Sequence, residues 1–516
     1  MDTSSPHPGD DMASRLFSPP IQRAMRTLDR SLFRKTVPIS GAIVHTPSKM
    51  EAIRKACENN ILTRAKYKGT ILVKLEKSTG GKLEYVHVKK EMKAEMKAVM
   101  EQDPEKVYEV KKLIPLHPRI IPKDLSTVPF ALRAFIDSKD VDLIPYNLKM
   151  EYDDWDYYEI ITSILPEDLL EEVPSGYTLT GDIAHLNLRE AYLPYKQIIA
   201  QVILDKNPII KTVINKTEEV GVTSEFRTFD MEILAGEPKT EVEVSESGCR
   251  FKFDFAKVYW NSRLETEHNR IIKTFKEGEA VADVMAGVGP FAIPAGKKKV
   301  YVWANDLNPE SYKAMVSNIE RNKVGNFVMA HNEDGRDFIR RSVKDLYKLS
   351  QSKWGKILVP PKIKYSRSNQ TPFDQRPPPA VYRVPPTFNH FVMNLPATAV
   401  EFLDAFIGVY TGMEGLFEPY TKTKLPIIHL HIFDAREYED AHLSICQRIT
   451  KHINYKMTTE DIEFRDIRLV SPRKRMYCAT FRLPPEVAFA GEEGRQGLEE
   501  DQYSETPGLE ANAWVS

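Results

Sequence analysis

The sequence has 516 residues, of which 42% are hydrophobic and 28% are charged, as expected for a globular chain that is too long for one compact core. Its 72 lysines and arginines nearly cancel its 73 aspartates and glutamates, so net charge neither requires nor excludes a nucleic-acid partner. Four cysteines without a Cys-x-x-Cys pair argue against a disulfide framework or zinc knuckle and favour a reducing compartment, and no apolar run is long enough to predict a membrane span.

The N-terminal third predicts a leader and an accessory region. Residues 12–36 are rich in arginine and serine with one acidic residue, which fits a mitochondrial presequence or a disordered basic leader over residues 1–44, and both interpretations stay open. A charged helical pattern at 87–102 and proline-punctuated strands at 111–121 predict a small accessory region over residues 45–160.

Residues 161–265 are predicted to form an α+β region. Polarity alternates through residues 241–260, where Phe251, Phe253 and Phe255 fall on one face. This period of two predicts a half-buried antiparallel strand.

From residue 280 onward, apolar runs alternate with helical patterns. This order predicts a βαβ array and therefore a mainly parallel, doubly wound α/β sheet. The predicted strands cover residues 281–285, 300–305, 326–331 and 390–394, and the predicted helices cover residues 309–321, 335–349 and 398–410.

The C-terminal part of the predicted sheet differs from the rest. A strand at 427–433 and a helix precede two strands that only SPRKR separates, and a gap of this length predicts an antiparallel hairpin. The predicted α/β domain covers residues 266–485, with a flexible insertion rich in proline at 350–386. Residues 486–516 are acidic and rich in glycine, and we expect them to be disordered.

A glycine turn carries the strongest local indication of a ligand. In DVMAGVGPFA, Gly287, Gly289 and Ala292 match G-x-G-x-x-G/A between a strand and a helix, which lets the backbone approach a ligand closely. The next strand ends at Asp306, about 20 residues on, where a carboxylate can accept hydrogen bonds from both ribose hydroxyls. The pattern predicts an adenosine-containing cofactor, either NAD or S-adenosylmethionine.

Polar residues after the next two strands favour S-adenosylmethionine. Asp334 and Gly335 follow the third strand, where they can meet the edge of an adenine. Asn394 follows the fourth strand in Asn-Leu-Pro, and Pro396 restricts the backbone there. A dehydrogenase has no particular use for that tripeptide, so an NAD-dependent oxidoreductase remains the alternative enzyme.

Several motifs in the same order resemble one enzyme family over roughly residues 165–484. The chain resembles the archaeal and eukaryotic tRNA (guanine-N1)-methyltransferases that modify guanosine 37, 3′ to the anticodon, and its extensions resemble fungal members. The motifs are GVTSEFRTFDMEILAGE, NSRLETEH, DVMAGVGPFAIP, NDLNP, NEDGRDF, FVMNLPATAVEFLDAF and SPRKRMYCATFRLP.

The resemblance implies three residues at the reacting base. Guanine N1 carries a proton at neutral pH, so its methylation requires a general base within about 3 Å, and the family pattern assigns that role to Glu267. Arg227 is implied as the cation that stabilises negative charge on O6. Pro396 is implied to line the guanine pocket.

The resemblance also implies a class I methyltransferase fold, preceded by smaller α+β regions that bind RNA, and a cofactor site for S-adenosylmethionine without a metal. The product would be N1-methylguanosine, which supports reading-frame maintenance and starts the route to wybutosine in tRNA-Phe; inosine acceptance stays open. The implied cofactor-binding residues are His268, Asp306, Leu307, Asp334, Gly335 and Asn394, with Gly287 and Gly289 shaping the floor.

The implied partner is tRNA, whose shape the region before residue 161 would recognise, and no membrane partner is implied. We expect a monomer in the cytoplasm, mitochondrial matrix and nucleus. A non-catalytic RNA-binding protein with a degenerate methyltransferase fold is the alternative outside enzymes. The presence of both Glu267 and Arg227 argues against it.

Overall fold

The computed structural model describes residues 16–62, 70–77, 83–88, 92–93, 96, 110–217, 226, 230–359, 378–435, 438–471 and 473–491. The chain divides into two compact units. The first contains Met1–Tyr177, Leu186–Asn215 and Ile233–Glu237, and the second contains Thr178–His185, Lys216–Glu232 and Pro238–Ser516.

Within the part of the chain that the structure describes, both units combine helices with strands. In chain order, the helices are α1 (Met50–Cys57), α2 (Phe130–Asp137), α3 (Tyr157–Ile164), α4 (Lys196–Lys206), α5 (Glu265–Thr274), α6 (Ala292–Lys297), α7 (Pro309–Asn322), α8 (Gly335–Gln351), α9 (Thr421–Lys424), α10 (Tyr438–Ile453) and α11 (Pro485–Ala488). The first ten strands are β1 (Lys35–Val44), β2 (Ile71–Lys77), β3 (Leu83–His87), β4 (Val110–Leu116), β5 (Val141–Met150), β6 (Thr178–Thr180), β7 (Ile183–Leu186), β8 (Thr212–Lys216), β9 (Met231–Gly236) and β10 (Glu241–Glu246). The others are β11 (Cys249–Asp254), β12 (Ala280–Asp283), β13 (Tyr301–Asn305), β14 (Val328–His331), β15 (Lys356–Val359), β16 (Ala380–Arg383), β17 (His390–Met393), β18 (Ile427–Asp434), β19 (Ile462–Ser471) and β20 (Lys474–Arg482).

The first unit contains an antiparallel sheet with the strand order β3-β2-β4-β1-β5. Ala42 of β1 lies opposite Ile114 of β4 and Leu143 of β5. Helices α1 and α2 contribute Ile53 and Leu132 to the same buried cluster as Ala42 and Ile114. This core depends on pairing between segments far apart in the chain.

The prediction of a leader over residues 1–44 is wrong for the part that the structure describes. Strand β1 is hydrogen-bonded to β4 on one side and β5 on the other, and Phe17 and Phe33 are buried. The arginines and serines suggested a leader, but the alternating apolar residues Val37 and Ile39 are buried in β1. Residues 1–15 lie outside the described part, as does most of the helix predicted at 87–102.

The second unit contains a seven-stranded sheet with the order β14-β13-β12-β17-β18-β20-β19. The first five strands are parallel. Strand β20 is antiparallel to both β18 and β19. This topology confirms the predicted doubly wound α/β sheet and its C-terminal hairpin.

Three local predictions need adjustment. The alternating segment at 241–260 is a hairpin of β10 and β11 rather than one strand, because Gly248 adopts the positive φ of a turn. The helix predicted at 398–410 is a 3₁₀ helix over Ala399–Phe406. In the insertion at 350–386, β15 and β16 form an antiparallel pair, and residues 360–377 lie outside the described part.

Two predicted domain boundaries fall inside helices, since residues 160 and 161 belong to α3 and residues 265 and 266 belong to α5. The predicted tail at 486–516 is described only as far as residue 491. No helix of the described residues is long and apolar enough to cross a membrane.

The strand order of the second unit reverses beside β12. The chain runs from β12 to β13 and β14 on one side, and then returns to β17 and β18 on the other. Connections leaving two adjacent parallel strands in opposite directions open a crevice at the carboxyl ends of those strands. The fold therefore places the loops after β12 and β17 at one candidate ligand site.

Candidate active site

A crevice of about 750 Å³, including its open mouth, lies at the carboxyl ends of these strands. It brings together six of the sequence-predicted residues, from the loops after four strands. They are Gly287, Asp306, Leu307, Asp334, Gly335 and Asn394. The other lining residues are Phe226, Tyr259, Val284, Met285, Asn305, Asn308, Ser311, Leu395 and Phe402.

The two glycines of the turn after β12 have different surroundings. Gly287 has φ of +56°, and none of the described residues has an atom within 4 Å of the position that a Cβ would occupy, so its backbone forms an open part of the crevice floor. Gly289 has φ of +94°, and a Cβ there would lie 2.9 Å from Cδ1 of Ile293. Gly289 is not part of the crevice lining; it packs the turn against α6.

Asp306 is tied to the glycine turn by its carboxylate. Its Oδ2 accepts a hydrogen bond from the Gly287 amide at 2.7 Å, and its Oδ1 accepts one from the Asn308 amide at 3.0 Å. Burial raises the pKa of Asp306, and these two hydrogen bonds, together with one from the Ser311 side chain, oppose the increase. A carboxylate has about four acceptor sites, so three hydrogen bonds leave capacity for a ligand.

Asp334 caps the N-terminus of α8. Its Oδ1 accepts hydrogen bonds from the amides of Arg336 at 2.8 Å and Asp337 at 3.4 Å, which satisfies donors that the first helical turn leaves unpaired. The cap fixes the position of this carboxylate at the crevice wall. Asp334 therefore has a structural role in addition to any contact with a ligand.

A second cavity of about 390 Å³, including its open mouth, shares Tyr259 and Asn394 with the crevice. The sequence-predicted residue Pro396 lines it. The other lining residues are Asn261, Leu264, Phe433, Arg468, Val470 and Met476. Two ligands bound in the crevice and in this cavity would meet at Tyr259 and Asn394.

Glu267 is buried and fully engaged by cationic donors. Its side chain is 5% exposed. Arg270 donates from Nε to Oε2 at 2.7 Å and from Nη2 to Oε1 at 2.8 Å, and Nε2 of His431 lies 2.8 Å from Oε1. Burial alone would raise the pKa of Glu267, but the hydrogen bonds from Arg270 and His431 outweigh it and lower the pKa to about 2.

His431 completes a buried group with Glu267 and Cys478. Ligand atoms of these three residues lie within 4.8 Å of one another, a spacing that could hold a metal ion. Burial lowers the pKa of His431, whereas Cys478 and Glu267 raise it, to about 10. Because the Arg270 guanidinium also contacts Glu267, the group already contains the positive charge that a metal would supply.

This group lies next to the second cavity. On paired strands, His431 is opposite Cys478 and Phe433 is opposite Met476. Residues two apart on a strand face the same side, roughly 7 Å apart. Phe433 and Met476 line the second cavity. The group containing Glu267 is therefore two residues along β18 and β20 from the cavity wall. Glu267 itself is not part of the lining.

The structure does not bring His268 to either cavity. Its Nδ1 lies 2.6 Å from Oε1 of Glu246, and its ring packs edge-on against Phe291 with centroids 4.7 Å apart. The side chain is 4% exposed. Arg227 lies outside the described residues, whereas its neighbour Phe226 lines the crevice.

Sequence reasoning missed several residues of the site. Tyr259, Arg270, His431 and Arg468 carry no motif that would single them out. The sequence could have indicated Asp283, since it directly precedes the glycine turn at the end of β12. Both of its carboxylate oxygens are buried without a hydrogen-bond partner among the described residues, and burial, together with the charge of Asp306, raises its pKa to about 8.

The fold, the crevice and a matching family model together define this protein as a class I methyltransferase with a Rossmann-like sheet. Residues 242–349 match the TRM5/TYW2 methyltransferase domain, and residues 157–240 match the TYW2 N-terminal domain. The chain belongs to the tRNA (guanine(37)-N(1))-methyltransferase family.

This membership follows from relatives with that name. One from Aspergillus fumigatus is 45% identical over 489 residues, covering 92% of this chain and 96% of its own. One from Schizosaccharomyces pombe is 42% identical over 468 residues, covering 90% and 96%. The crystal structure of Trm5b from Pyrococcus abyssi matches with a TM-score of 0.44 at 23% identity, covering 80% of this chain and 99% of that one. Membership decides against the alternative of an NAD-dependent oxidoreductase.

Proposed function

We propose that this protein transfers a methyl group from S-adenosylmethionine to N1 of guanosine 37 in tRNA. The observation that carries the proposal is the meeting of the crevice and the second cavity at Tyr259 and Asn394. In a chain of this family, the crevice suits the methyl donor and the second cavity suits the acceptor base. This arrangement places the two reacting groups at a shared wall.

The residues of the crevice fit an adenosine-containing donor. We assign the ribose hydroxyls to Asp306, whose carboxylate retains acceptor capacity, and the adenine amino group to Asp334. The exposed Leu307 offers an apolar surface for the adenine ring. S-adenosylmethionine supplies an electrophilic methyl group on its sulfonium, and Asn394 lies where that end of the donor would meet the acceptor.

We assign the N1 proton of the acceptor to Glu267. Its carboxylate accepts three hydrogen bonds and so keeps one lone-pair site. Because Glu267 does not line the cavity here, the assignment requires the bound base and this carboxylate to come within about 3 Å of each other in the substrate complex. The Glu267 pKa of about 2 keeps the carboxylate ionised at neutral pH, but it also makes the group a weak base. Removal of the proton as the new N–C bond forms resolves this conflict, because the attacking nitrogen becomes strongly acidic at that stage. The electron pair of the N1–H bond then stays in the ring, and the electron pair of the broken methyl–sulfur bond stays on the sulfur of S-adenosylhomocysteine, the leaving group.

Pro396 lines the acceptor cavity, and we keep Arg227 as the cation for O6. Reaching a base within an anticodon loop requires unstacking it, at a cost of a few kcal/mol that contacts elsewhere on the tRNA must offset. We also propose that the protein acts as a monomer in the cytoplasm, mitochondrial matrix and nucleus; these assignments rest on the family resemblance.

Incubation with methyl-labelled donor and unmodified tRNA transcripts tests the proposed function. Nucleoside analysis should find the label in N1-methylguanosine, and a transcript with adenosine at position 37 should remain unlabelled. Asp306→Ala should lose donor affinity in calorimetry. Absence of label from every transcript, or label at another nucleoside, would overturn the proposal.

A further inference from the structure

We propose that Arg468 recognises the N7 and O6 edge of the acceptor guanine and so selects guanine over adenine. This inference rests on the proposed function, because it takes the second cavity as the acceptor site. Arg468 would be a specificity-determining residue that contacts the substrate. Glu267, Arg227 and the cofactor residues keep the roles assigned above.

Strand pairing brings Arg468 to the wall of the second cavity. Arg468 of the edge strand β19 lies opposite Met476 of β20, which lies opposite Phe433 of β18. All three line the cavity, and so does Val470, two residues beyond Arg468 on its strand. Arg468 therefore belongs to a row of side chains that forms one side of the cavity.

The guanidinium of Arg468 lacks a carboxylate partner within the part of the chain that the structure describes. Its one hydrogen bond there is long, from Nε to the backbone oxygen of Leu469 at 3.4 Å. Two nearby arginines differ in this respect. Arg475 on the neighbouring strand forms an ion pair with Asp466, and Arg270 forms one with Glu267. A guanidinium has five donors, so Arg468 retains donors for a ligand.

The chemistry of the cavity favours a base over a phosphate as that ligand. Leu264, Pro396, Phe433 and Met476 give it flat or apolar walls, which suit a purine ring better than a strongly hydrated anion. A guanidinium pairs bidentately with O6 and N7 of guanine, whereas adenine presents an amino donor in place of O6. Contact at this edge leaves N1 free to face the shared wall at Asn394.

The test combines an arginine variant with a base analogue. Single-turnover methylation is measured for wild type, Arg468→Gln and Arg468→Lys, on tRNA with guanosine or 7-deazaguanosine at position 37. The analogue retains O6 and the N1 proton but replaces the N7 acceptor. Arg465→Gln is the matched control, because Arg465 lies on the same strand, is exposed and does not line the cavity.

We expect the analogue to lower kcat/KM of the wild type about tenfold. Arg468→Gln should lower kcat/KM for guanosine by a similar factor and show no further loss with the analogue. Arg468→Lys should keep only part of the sensitivity to the analogue, because an ammonium can donate to N7 and O6 but lacks the planar pair of donors. Donor affinity should not change in any variant, and Arg465→Gln should behave as wild type.

If the analogue lowers kcat/KM of Arg468→Gln by the same factor as it lowers that of the wild type, the inference is overturned. That result would show that Arg468 acts independently of N7, as a phosphate contact or a packing residue would. Full activity of Arg468→Gln would also overturn the inference. A wild type that methylates no tRNA would instead refute the proposed function and this inference with it, so the two failures are distinguishable.

Discussion

At Glu267, three hydrogen bonds from Arg270 and His431 determine the properties of the carboxylate. They hold it in one orientation beside the second cavity, and they keep it ionised. The same bonds weaken it as a base. The side chain therefore suits a reaction in which bond formation itself makes the proton acidic.

Glu267→Gln should lower kcat by roughly 10² to 10⁴, the usual contribution of a general base. The amide retains the size of the carboxylate but cannot take the proton. Rapid-quench methylation measures kcat, and calorimetry should show unchanged donor affinity, since Glu267 does not line the crevice. Unaltered turnover would refute the assignment.

Asp283 predicts a pH dependence of stability. Its pKa is about 8 in the folded chain against an ordinary value of 3.8, so between these values the folded state binds one more proton than the unfolded state. The free energy of unfolding therefore falls as pH rises, by up to about 1.4 kcal/mol per pH unit. Urea titrations from about pH 5 to pH 7 should show this slope in the wild type relative to Asp283→Asn. Parallel profiles would contradict it.

At the scale of elements, the turn between β12 and α6 combines two functions in three residues. Gly287 opens the floor of the crevice, and Gly289 allows the turn to pack against Ile293. Asp306, at the end of the neighbouring strand, is hydrogen-bonded to this turn. The geometry of the ligand site therefore depends on the packing of the turn.

Gly289→Ala should destabilise the second unit by about 1 to 3 kcal/mol, because alanine strains at a φ of +94° and its Cβ would press on Ile293. Urea unfolding measures the loss. Gly415→Ala is the control, since a Cβ there meets no atom of the described part of the chain within 4 Å, and its change should stay within about 0.5 kcal/mol. Equal stability of the two variants would show that the turn relaxes.

At the scale of the whole molecule, the chain contains two compact units, and the crevice lies in the second. A ligand that binds only folded protein stabilises the unit that holds its site. Chains with more than one unit commonly unfold in more than one step. Binding of the methyl donor should therefore affect the two units unequally.

Scanning calorimetry should resolve two unfolding transitions, and the methyl donor should raise the midpoint temperature of one of them. At about 100 times its Kd, the donor should add about 2.7 kcal/mol to the stability of the second unit. Asp306→Ala should abolish this shift and leave the other transition in place. Equal shifts of both transitions in the wild type would contradict the assignment of the ligand to one unit.

The sequence alone determined the parallel array from residue 280, the C-terminal hairpin and the glycine turn with Asp306. These features depend on local properties: a period of two or 3.6 residues, the length of a connection, and the backbone freedom of glycine. Family motifs added Glu267 and Pro396, which the structure places at or next to the second cavity.

Only the tertiary structure decided which distant residues meet. His431 is 164 residues from Glu267 in the chain, and Arg468 reaches the cavity through pairing across β20 and β18. Strand β1 falls within the predicted leader because its pairing partners, β4 and β5, lie far along the chain, and the local pattern of residues 35–44 does not show them. Such contacts arise when sheets pair and pack, and no local pattern within a single segment encodes them.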